Sequence, residues 1–375
     1  MRSDLAHLTR EDALAELTAQ LVAIDSVNPD LVPGGAGEAR VAEAVAAWLE
    51  AAGLEVEVTE PAPGRPNVVG RARGSGGGRT LLLNAHMDTV GVAGVERPFE
   101  AVVRDGRLHG RGSGDMKGSL AAIMLAGAEA AGMGLRGDVV VTAVADEEVG
   151  SIGTEAIVAS LTADAAIVAE PTDERIVVAH KGFVVFEVEA HGRAAHGSRP
   201  DLGIDAIAAM GPVLTRITEL DSRLRQGAGH PLLGTGSVHA SLIEGGQEYS
   251  SYPARCLLTG ERRTIPGESL DSIRAELEEL IAGVHADVSV SFWRLPFETS
   301  ADADVVQVLM AATGVVEVGG LGGWADSALL AAAGIPTVVY GPVTGDLHGE
   351  DEWVDLASLE RCRAAYVEVA RRICA

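Results

Sequence analysis

The stretch that most constrains the fold is 81–90, an apolar run that ends in a histidine and an aspartate two residues apart. Three leucines in a row, Leu81 to Leu83, are too few for a membrane span and are typical of a buried strand. His86 and Asp88 therefore lie where a strand ends, which is where open α/β sheets place their binding sites. Residues i and i+2 of a strand point to the same side, so the Asp88 carboxylate can orient the imidazole toward a metal. An isolated His-x-Asp more often only closes a turn, and the rest of the chain decides between the two interpretations.

Length and composition limit the class of protein. At 375 residues the chain exceeds the usual size of one compact domain, so two domains are expected. Hydrophobic residues make up 47% of the chain and aromatic residues only 3%, which predicts a globular core built mainly from Ala, Val, Leu and Ile. The formal net charge of −25 argues against nucleic acid and anionic membranes as partners, because both would be repelled. Metal cations are favoured instead.

The cysteines and the N-terminal segment indicate the compartment. Cys256, Cys362 and Cys374 are far apart in the sequence, which predicts neither a disulfide framework nor a thiolate zinc site. The first residues contain an early acid and no apolar stretch typical of a signal peptide, and no apolar run is long enough for a transmembrane helix. We therefore expect a cytoplasmic protein.

Helices alternate with apolar strands up to about residue 178 and again after about residue 297, which predicts a largely parallel sheet covered by helices. A capping box that begins at Thr9 predicts a first helix to about Ile24, and Gly53 is expected to end the second helix. The other predicted elements of this part are strands at 67–72, 80–85, 138–145, 165–169 and 337–340, helices at 38–52, 119–131 and 326–333, and a closing helix with Leu359, Cys362, Tyr366, Val369 and Ile373 on one face.

The residues between these two parts have a different pattern. Extended runs begin at Ile176, and they are followed by a helix, two strands, a second helix and a last strand near Trp293. That β-α-β-β-α-β order is typical of a small ferredoxin-like domain with its own sheet. The predicted division is therefore a catalytic domain at 1–178, an inserted domain at 179–296, and the rest of the catalytic domain at 297–375.

A glycine-rich segment at 105–119 contains the second candidate residue, Asp115. The phosphate-binding pattern Gly-Lys-Ser/Thr is excluded, because Lys117 precedes Gly118. Glycines allow the backbone to bend tightly, so Asp115 could point into a site just before a helix. The alternative is that Asp115 only caps that helix.

Three further segments carry candidate ligands. The acidic run 146–148 follows an apolar strand directly, and so does Glu170, whereas His348 comes shortly after the strand at 337–340. Each has a simpler explanation: acidic runs are usually solvated loops, and a single late histidine is usually on the surface. Adjacent carboxylates that leave a buried strand can also diverge, one toward a cation and the other toward its bound water.

These segments together supply two histidines and several carboxylates, with no thiolate. Nitrogen and oxygen ligands suit zinc, with manganese or cobalt as substitutes. One carboxylate can bridge two cations roughly 3.5–4 Å apart, as in two-metal hydrolases.

With these residues in place, the sequence resembles the dinuclear-zinc metallohydrolases that include acetylornithine deacetylase, succinyl-diaminopimelate desuccinylase, aminoacylase and carboxypeptidase G. The resemblance covers nearly the whole chain. It implies a zinc-peptidase-like α/β catalytic domain with a mixed, mostly parallel sheet covered by helices, and an inserted ferredoxin-like α+β domain that acts as a lid and in dimerisation. The motifs, in the order of the family, are AHMDTV, GRGSGDMKG, DEEVGS, AEPT, AAHGSRPDLGIDAI, GGWADSALL and LHGE.

The resemblance also implies a role for individual residues. One zinc would be held by His86, Asp115 and Glu170, and the other by Asp115, Glu148 and His348. Asp88 would orient His86, and Glu147 would be the general base. From the inserted domain, His196 would help polarise the scissile carbonyl, in dimeric relatives from the partner subunit, and Arg263 would bind a substrate carboxylate.

The sequence departs from the family at two places. Ser250 stands where the family often has an Asn that helps to bind substrate, so specificity need not follow the near relatives. Trp324 occupies a position where smaller residues are common and is expected to narrow the pocket.

The resulting prediction is a cytoplasmic, homodimeric amidohydrolase that cleaves the amide bond of an N-acyl amino acid through a zinc-bound hydroxide, with Glu147 as base. A dipeptidase or carboxypeptidase would use the same residues on a short peptide. A non-catalytic metal-binding scaffold is the third alternative, and loss of Glu147 or of a ligand would have favoured it.

Overall fold

The computed structural model describes residues 10–375, which form two compact units. The first unit contains residues up to 178, 299–319 and 325–375, and the second contains 179–298 and 320–324. Thr9, predicted to begin the first capping box, lies outside the described residues. No helix in the described part of the chain is long and apolar enough to span a membrane.

The first unit is built on a mixed sheet whose centre is parallel. Four central strands, in the order β6-β3-β7-β15, run parallel, and the flanking strands β1, β2 and β8 pair antiparallel. The central strands are fully buried because helices cover both faces, which explains their continuous apolar sequences. The strands are β1 (Glu55–Ala62), β2 (Arg65–Ala72), β3 (Leu81–His86), β6 (Val139–Val144), β7 (Ala165–Val168), β8 (Ile176–His180), β14 (Val318–Leu321) and β15 (Thr337–Val339).

The helices predicted from the sequence are found within about two residues of their predicted bounds, whereas the helices at Ile152–Ser160 and Asp304–Thr313 were not predicted. Gly53, expected to end the second helix, has a left-handed φ of 93° that glycine adopts without strain. The five residues predicted for one face of the closing helix are all buried. The helices are α1 (Arg10–Val22), α2 (Ala39–Ala51), α3 (Gly118–Ala131), α4 (Ile152–Ser160), α7 (Asp304–Thr313), α8 (Ser327–Ala332) and α9 (Leu356–Ile373), with a π-type turn at Ser113–Lys117.

A second, smaller sheet of the first unit has the strand order β16-β17-β5-β4. It joins residues near 105 to residues near 350, which are far apart in the sequence. Its strands are β4 (Val102–Arg104), β5 (Arg107–His109), β16 (Thr344–Gly345) and β17 (Trp353–Asp355). The sequence pattern did not predict these strands, because two or three residues are too few for a periodic signal.

The second unit is a four-stranded antiparallel sheet with two helices, in the order β9-α5-β10-β11-α6-β12 along the chain. The strand order in the sheet, β12-β9-β11-β10, is that of a ferredoxin-like fold, as the sequence predicted. β9 buries alternate residues against α5 and α6, so one face of the sheet is the core of this unit. The elements are β9 (Gly182–His191), α5 (Ala206–Gln226), β10 (Ser237–Gly245), β11 (Arg255–Thr264), α6 (Leu270–Leu280), β12 (Ala286–Arg294) and β13 (Phe297–Glu298).

Candidate metal centre

The candidate residues of the first unit meet at the carboxyl edge of its parallel strands. His86 is the last residue of β3, the acidic run 146–148 follows β6, and Glu170 follows β7. In a parallel sheet these ends lie side by side, and loops from later segments can reach them. The structure brings Asp115 and His348 to the same place from the π-type turn and from the loop between β16 and β17.

His86 is held so that its Nε2 atom faces three carboxylates. Its Nδ1 atom lies 2.9 Å from the backbone carbonyl of Asp88 and 3.5 Å from the Asp88 carboxylate, so Nδ1 carries a proton that the carbonyl accepts. Nε2 lies 3.1 Å from Oδ1 of Asp115, 3.8 Å from Glu170 and 4.0 Å from Glu147. The ring therefore presents a nitrogen lone pair to a cation placed among these oxygen atoms.

Asp115 faces two histidines with its two oxygen atoms. Its Oδ1 approaches His86, whereas its Oδ2 lies 3.4 Å from Nε2 of His348. The same His348 nitrogen lies 3.5 Å from Glu148. A carboxylate in this position can bridge two cations, one on the side of His86 and one on the side of His348.

The Asp88 carboxylate also organises the acidic turn. Its two oxygens accept the backbone N–H groups of Glu147 and Glu148 at 3.1 Å each, and the amide of Asn28 donates to it at 2.8 Å. The side chains of Glu147 and Glu148 leave the turn from this fixed backbone. Asp88 therefore positions both acids as well as contacting His86.

A buried ionic network lies behind the acidic turn. The Arg65 side chain is only 7% exposed. Its guanidinium donates to both oxygens of Glu38, and it donates to Asp146 at 2.8 Å. It also contacts Asp30. Asp146 has a left-handed φ of 69° and receives a further hydrogen bond from Asn28. The turn is thus held in a disfavoured conformation by a charge network that the sequence pattern did not reveal.

The pKa values at this site reflect crowded negative charge. Burial raises the pKa of Glu147 and Glu170 well above the usual value, and nearby carboxylates raise it further. Burial alone would lower the pKa of His86, but hydrogen bonds with Asp115 and Asp88 outweigh it and the pKa is raised. Hydrogen bonds with Asp115 and Glu148 raise the pKa of His348 to about 10. Every one of these shifts indicates a site that favours added positive charge.

The donor set fits divalent metal ions. In the part of the chain that the structure describes, Oε1 of Glu148 and Oε1 of Glu170 are buried and accept no hydrogen bond. Buried carboxylate oxygens are costly without a partner, and a cation would supply one to each. Ligand atoms of His86, Asp115 and Glu148 lie within 4.8 Å of one another, as do those of His86, Glu147 and Glu170.

The other candidate residues belong to the second unit. His196 is exposed and its Nδ1 lies 2.8 Å from Ser198, while Ser250 is exposed and its carbonyl accepts the Gly197 N–H. Arg263 is half-buried, with its guanidinium 2.7 Å from Glu261 and over the Phe183 ring. His196 and Ser250 are thus near neighbours, because His196 forms a β-bridge with Ser251.

Trp324 packs within the second unit. Its indole N–H donates to the Leu295 carbonyl at 3.0 Å, and its ring meets those of His180 and Phe183 edge-on. These contacts fix its orientation in the aromatic cluster.

Sequence reasoning missed several polar residues around the centre. Asn28 and Arg65 hold the acidic turn, and Asp326 is buried, with a pKa that burial raises to about 6. Asp326 could have been singled out, because it follows an apolar-glycine segment as Asp115 does. Asn28 and Arg65 carry no such signal, since their partners are distant in sequence.

Comparison with known proteins adds independent information. Residues 82–372 match the family model described as Peptidase family M20/M25/M40. The chain is 32% identical over 395 residues to an acetylornithine deacetylase from Myxococcus xanthus, with 96% of this chain and 98% of that protein covered.

Two solved structures have the same fold. Aminopeptidase PepT from Bacillus cereus ATCC 10987 matches with a TM-score of 0.79 and 20% identity over 98% of this chain and 99% of that one. The YXEP protein of Bacillus subtilis, described as a dinuclear metal binding peptidase, matches with a TM-score of 0.71 and 17% identity over 97% and 98% of the two chains.

Proposed function

From the premise that this chain belongs to the peptidase family M20/M25/M40, and is a metal-dependent hydrolase of amide or peptide bonds, we propose that it deacylates an N-acyl amino acid. The observation that carries the proposal is the position of Asp115, whose two oxygens face His86 and His348 beside the carboxylate of Glu147. The 32% identity to an acetylornithine deacetylase favours an acyl amino acid over a peptide.

In this proposal His86, Asp115 and Glu170 would hold one divalent ion, and Asp115, Glu148 and His348 would hold the other. Zinc suits these nitrogen and oxygen ligands, and cobalt or manganese can replace it. Such ions lower the pKa of a bound water toward about 7 and polarise the carbonyl of the scissile amide.

The residues of the chain perform the proton transfers. Glu147 takes a proton from the attacking water and passes it to the leaving amine, as a general base and then a general acid. Asp88 holds the Glu147 backbone and the His86 ring, so both side chains keep their directions. His196 is proposed to donate to the carbonyl oxygen as it becomes negative, and Arg263 and Ser250 to bind the rest of the substrate.

We also propose a cytoplasmic homodimer in which the second unit acts as a lid and provides the interface. β10 is an edge strand of its sheet, and its Leu242 and Ile243 are 70% and 55% exposed. An apolar edge with open backbone groups is a template for pairing with another chain. The three cysteines are buried and form no disulfide, which fits a reducing compartment.

A hydrolysis screen tests the substrate class. Protein loaded with zinc or cobalt is assayed on N-acetyl, N-succinyl and N-formyl amino acids and on dipeptides, with chelated protein and Glu147→Gln protein as controls. Turnover of an N-acyl amino acid that both controls lack would support the proposal. Turnover of dipeptides alone would favour the peptidase alternative, and full activity of metal-free protein would reject the metal mechanism.

A further inference from the structure

Two segments that are distant in sequence meet beside the candidate centre. β5 and β17 pair antiparallel, with His109 opposite Trp353. Beyond that pair the Gly110 N–H donates to the Glu352 carbonyl at 3.1 Å, which extends the ladder by one step. Arg111 and Glu352 consequently lie side by side, and they are only 2% and 3% exposed.

Glu352 holds the backbone that carries Asp115. Its Oε2 accepts from Nη1 of Arg111 at 2.6 Å, and its Oε1 accepts the N–H groups of Gly114 and Asp115 at 2.9 and 3.0 Å. Asp115 has φ −128° and ψ 93°, so the backbone at Asp115, as at Met116, is not helical. The carboxylate of Glu352 thus fixes the point from which the Asp115 side chain leaves the backbone.

Arg111 holds the loop that carries His348. Its Nη2 donates to the Gly349 carbonyl at 2.9 Å and lies 3.5 Å from the His348 carbonyl, while its Nε donates to Gly91 at 3.1 Å. His348 has a left-handed φ of 62°, which residues with a side chain rarely adopt. The contacts of Arg111 with the carbonyls of His348 and Gly349 hold the backbone directly after that residue.

We propose that Arg111 and Glu352 are positioning residues that set the separation of Asp115 and His348, and so govern the affinity of one of the two metal positions. The inference rests on the proposed function, because it takes Asp115, Glu148 and His348 as the ligands of that position. The other position shares Asp115, but its remaining ligands, His86 and Glu170, come directly from the ends of β3 and β7 rather than from the His348 loop that Arg111 holds. Loss of the Arg111–Glu352 ion pair should therefore lower the metal affinity of the two positions by different factors.

The test is a calorimetric titration of zinc into chelator-treated, full-length protein. Wild type should bind two ions. Glu352→Met removes the acceptor for both N–H groups and the partner of Arg111, and it should weaken one binding step by about 10–100-fold, the usual effect of losing a residue that supports a ligand. The other step shares only Asp115 with it and should weaken less. Glu352→Gln keeps an acceptor oxygen and should lose less zinc affinity. It also serves as the test variant if Glu352→Met does not fold.

The control is Arg363→Met in the same unit. Arg363 is 4% exposed and forms ion pairs with Glu129 and Glu360, both at 2.7 Å, so it is a buried arginine like Arg111, although its acidic partners are partly exposed. The Arg363→Met substitution should lower the unfolding temperature and leave the zinc affinity of both binding steps unchanged.

Four other outcomes are distinguishable. Equal weakening of both steps in the Glu352 variants, or no weakening of either step, would overturn the positioning role. If Arg363→Met also weakens one binding step, the weaker zinc binding of the Glu352 variants would reflect general destabilisation, and the positioning role would be overturned too. Absence of zinc binding by wild type would instead reject the proposed function.

Discussion

At the residue scale, the sequence was informative wherever a functional side chain follows an apolar strand. His86, Glu147, Glu148 and Glu170 could be placed at one sheet edge because parallel strands end together. Asn28 and Arg65 could not, since their partners Asp88 and Asp146 are brought near only by the folded chain. Their roles depend on tertiary contacts that no local pattern encodes.

The adjacent acids Glu147 and Glu148 should respond differently to the same substitution. Glu147→Gln should keep the metal content but lower kcat by roughly 10²–10⁴-fold, the contribution of a positioned base. Glu148→Gln should lower the metal content, because it removes a charged oxygen ligand. Elemental analysis beside kcat separates the two, and near-wild-type activity of Glu147→Gln would show that another group is the base.

Metal binding should release protons near neutral pH. His348, with a pKa raised to about 10 by hydrogen bonds with Asp115 and Glu148, carries a proton in the metal-free protein at pH 7, and carboxylate partners also raise the pKa of His86. A metal requires the neutral ring, so affinity should rise with pH and fall as pH is lowered. Titration in buffers of different ionisation enthalpy measures the number of protons, and a count of zero would contradict the raised pKa values.

At the element scale, long buried elements were predicted well and exposed or short ones were missed. The sequences of β3 and β6 are almost continuously apolar, so their burial on both faces could be predicted. β1 was missed: none of its residues is buried and it contains three glutamates, so its short apolar-polar alternation resembles an exposed loop segment. The antiparallel direction of β1, β2 and β8 also follows from chain connections that local patterns do not specify.

The network on β2 should contribute to stability as well as to geometry. Arg65→Met would leave the buried carboxylates of Glu38 and Asp146 without their cation, and breaking such a pair costs about 3–5 kcal/mol of unfolding free energy. Arg73→Met, just after the same strand, removes an exposed pair with Glu55 and should change stability far less.

Urea denaturation of both variants measures the difference. Equal losses for Arg65→Met and Arg73→Met would show that burial of the network does not matter.

At the scale of the whole molecule, the sequence predicted the main mixed sheet and the ferredoxin-like sheet with its order of strands and helices, but not the small sheet of β4, β5, β16 and β17. How two subunits would meet is not encoded in a local pattern. The role of His196 in a partner subunit comes from family resemblance and stays a prediction.

Subunit exchange tests that role. His196→Ala should cost about 2.7–4 kcal/mol of transition-state stabilisation, mainly in kcat, if it removes a donor to the oxyanion. If the histidine serves the partner subunit, mixing His196→Ala with Glu147→Gln protein should restore part of the activity, because one site in each mixed dimer keeps both residues.

Mass spectrometry confirms exchange in the same sample. If mixed dimers form and activity stays absent while His196→Ala alone is inactive, the histidine acts within its own chain.

The insertion of β15 between β7 and β8 also has a consequence for synthesis on the ribosome. Roughly 160 residues separate β8 from β15, which at roughly 5–20 residues per second take about 8–30 s to translate. During that interval the edge of β7 that later pairs with β15 has no partner strand for its backbone hydrogen bonds. The closing helix α9, which covers the apolar helix α3 in the folded protein, has not yet been synthesised either. The nascent chain is therefore exposed to aggregation in the middle of its synthesis, and His348 reaches the site only after that period has ended.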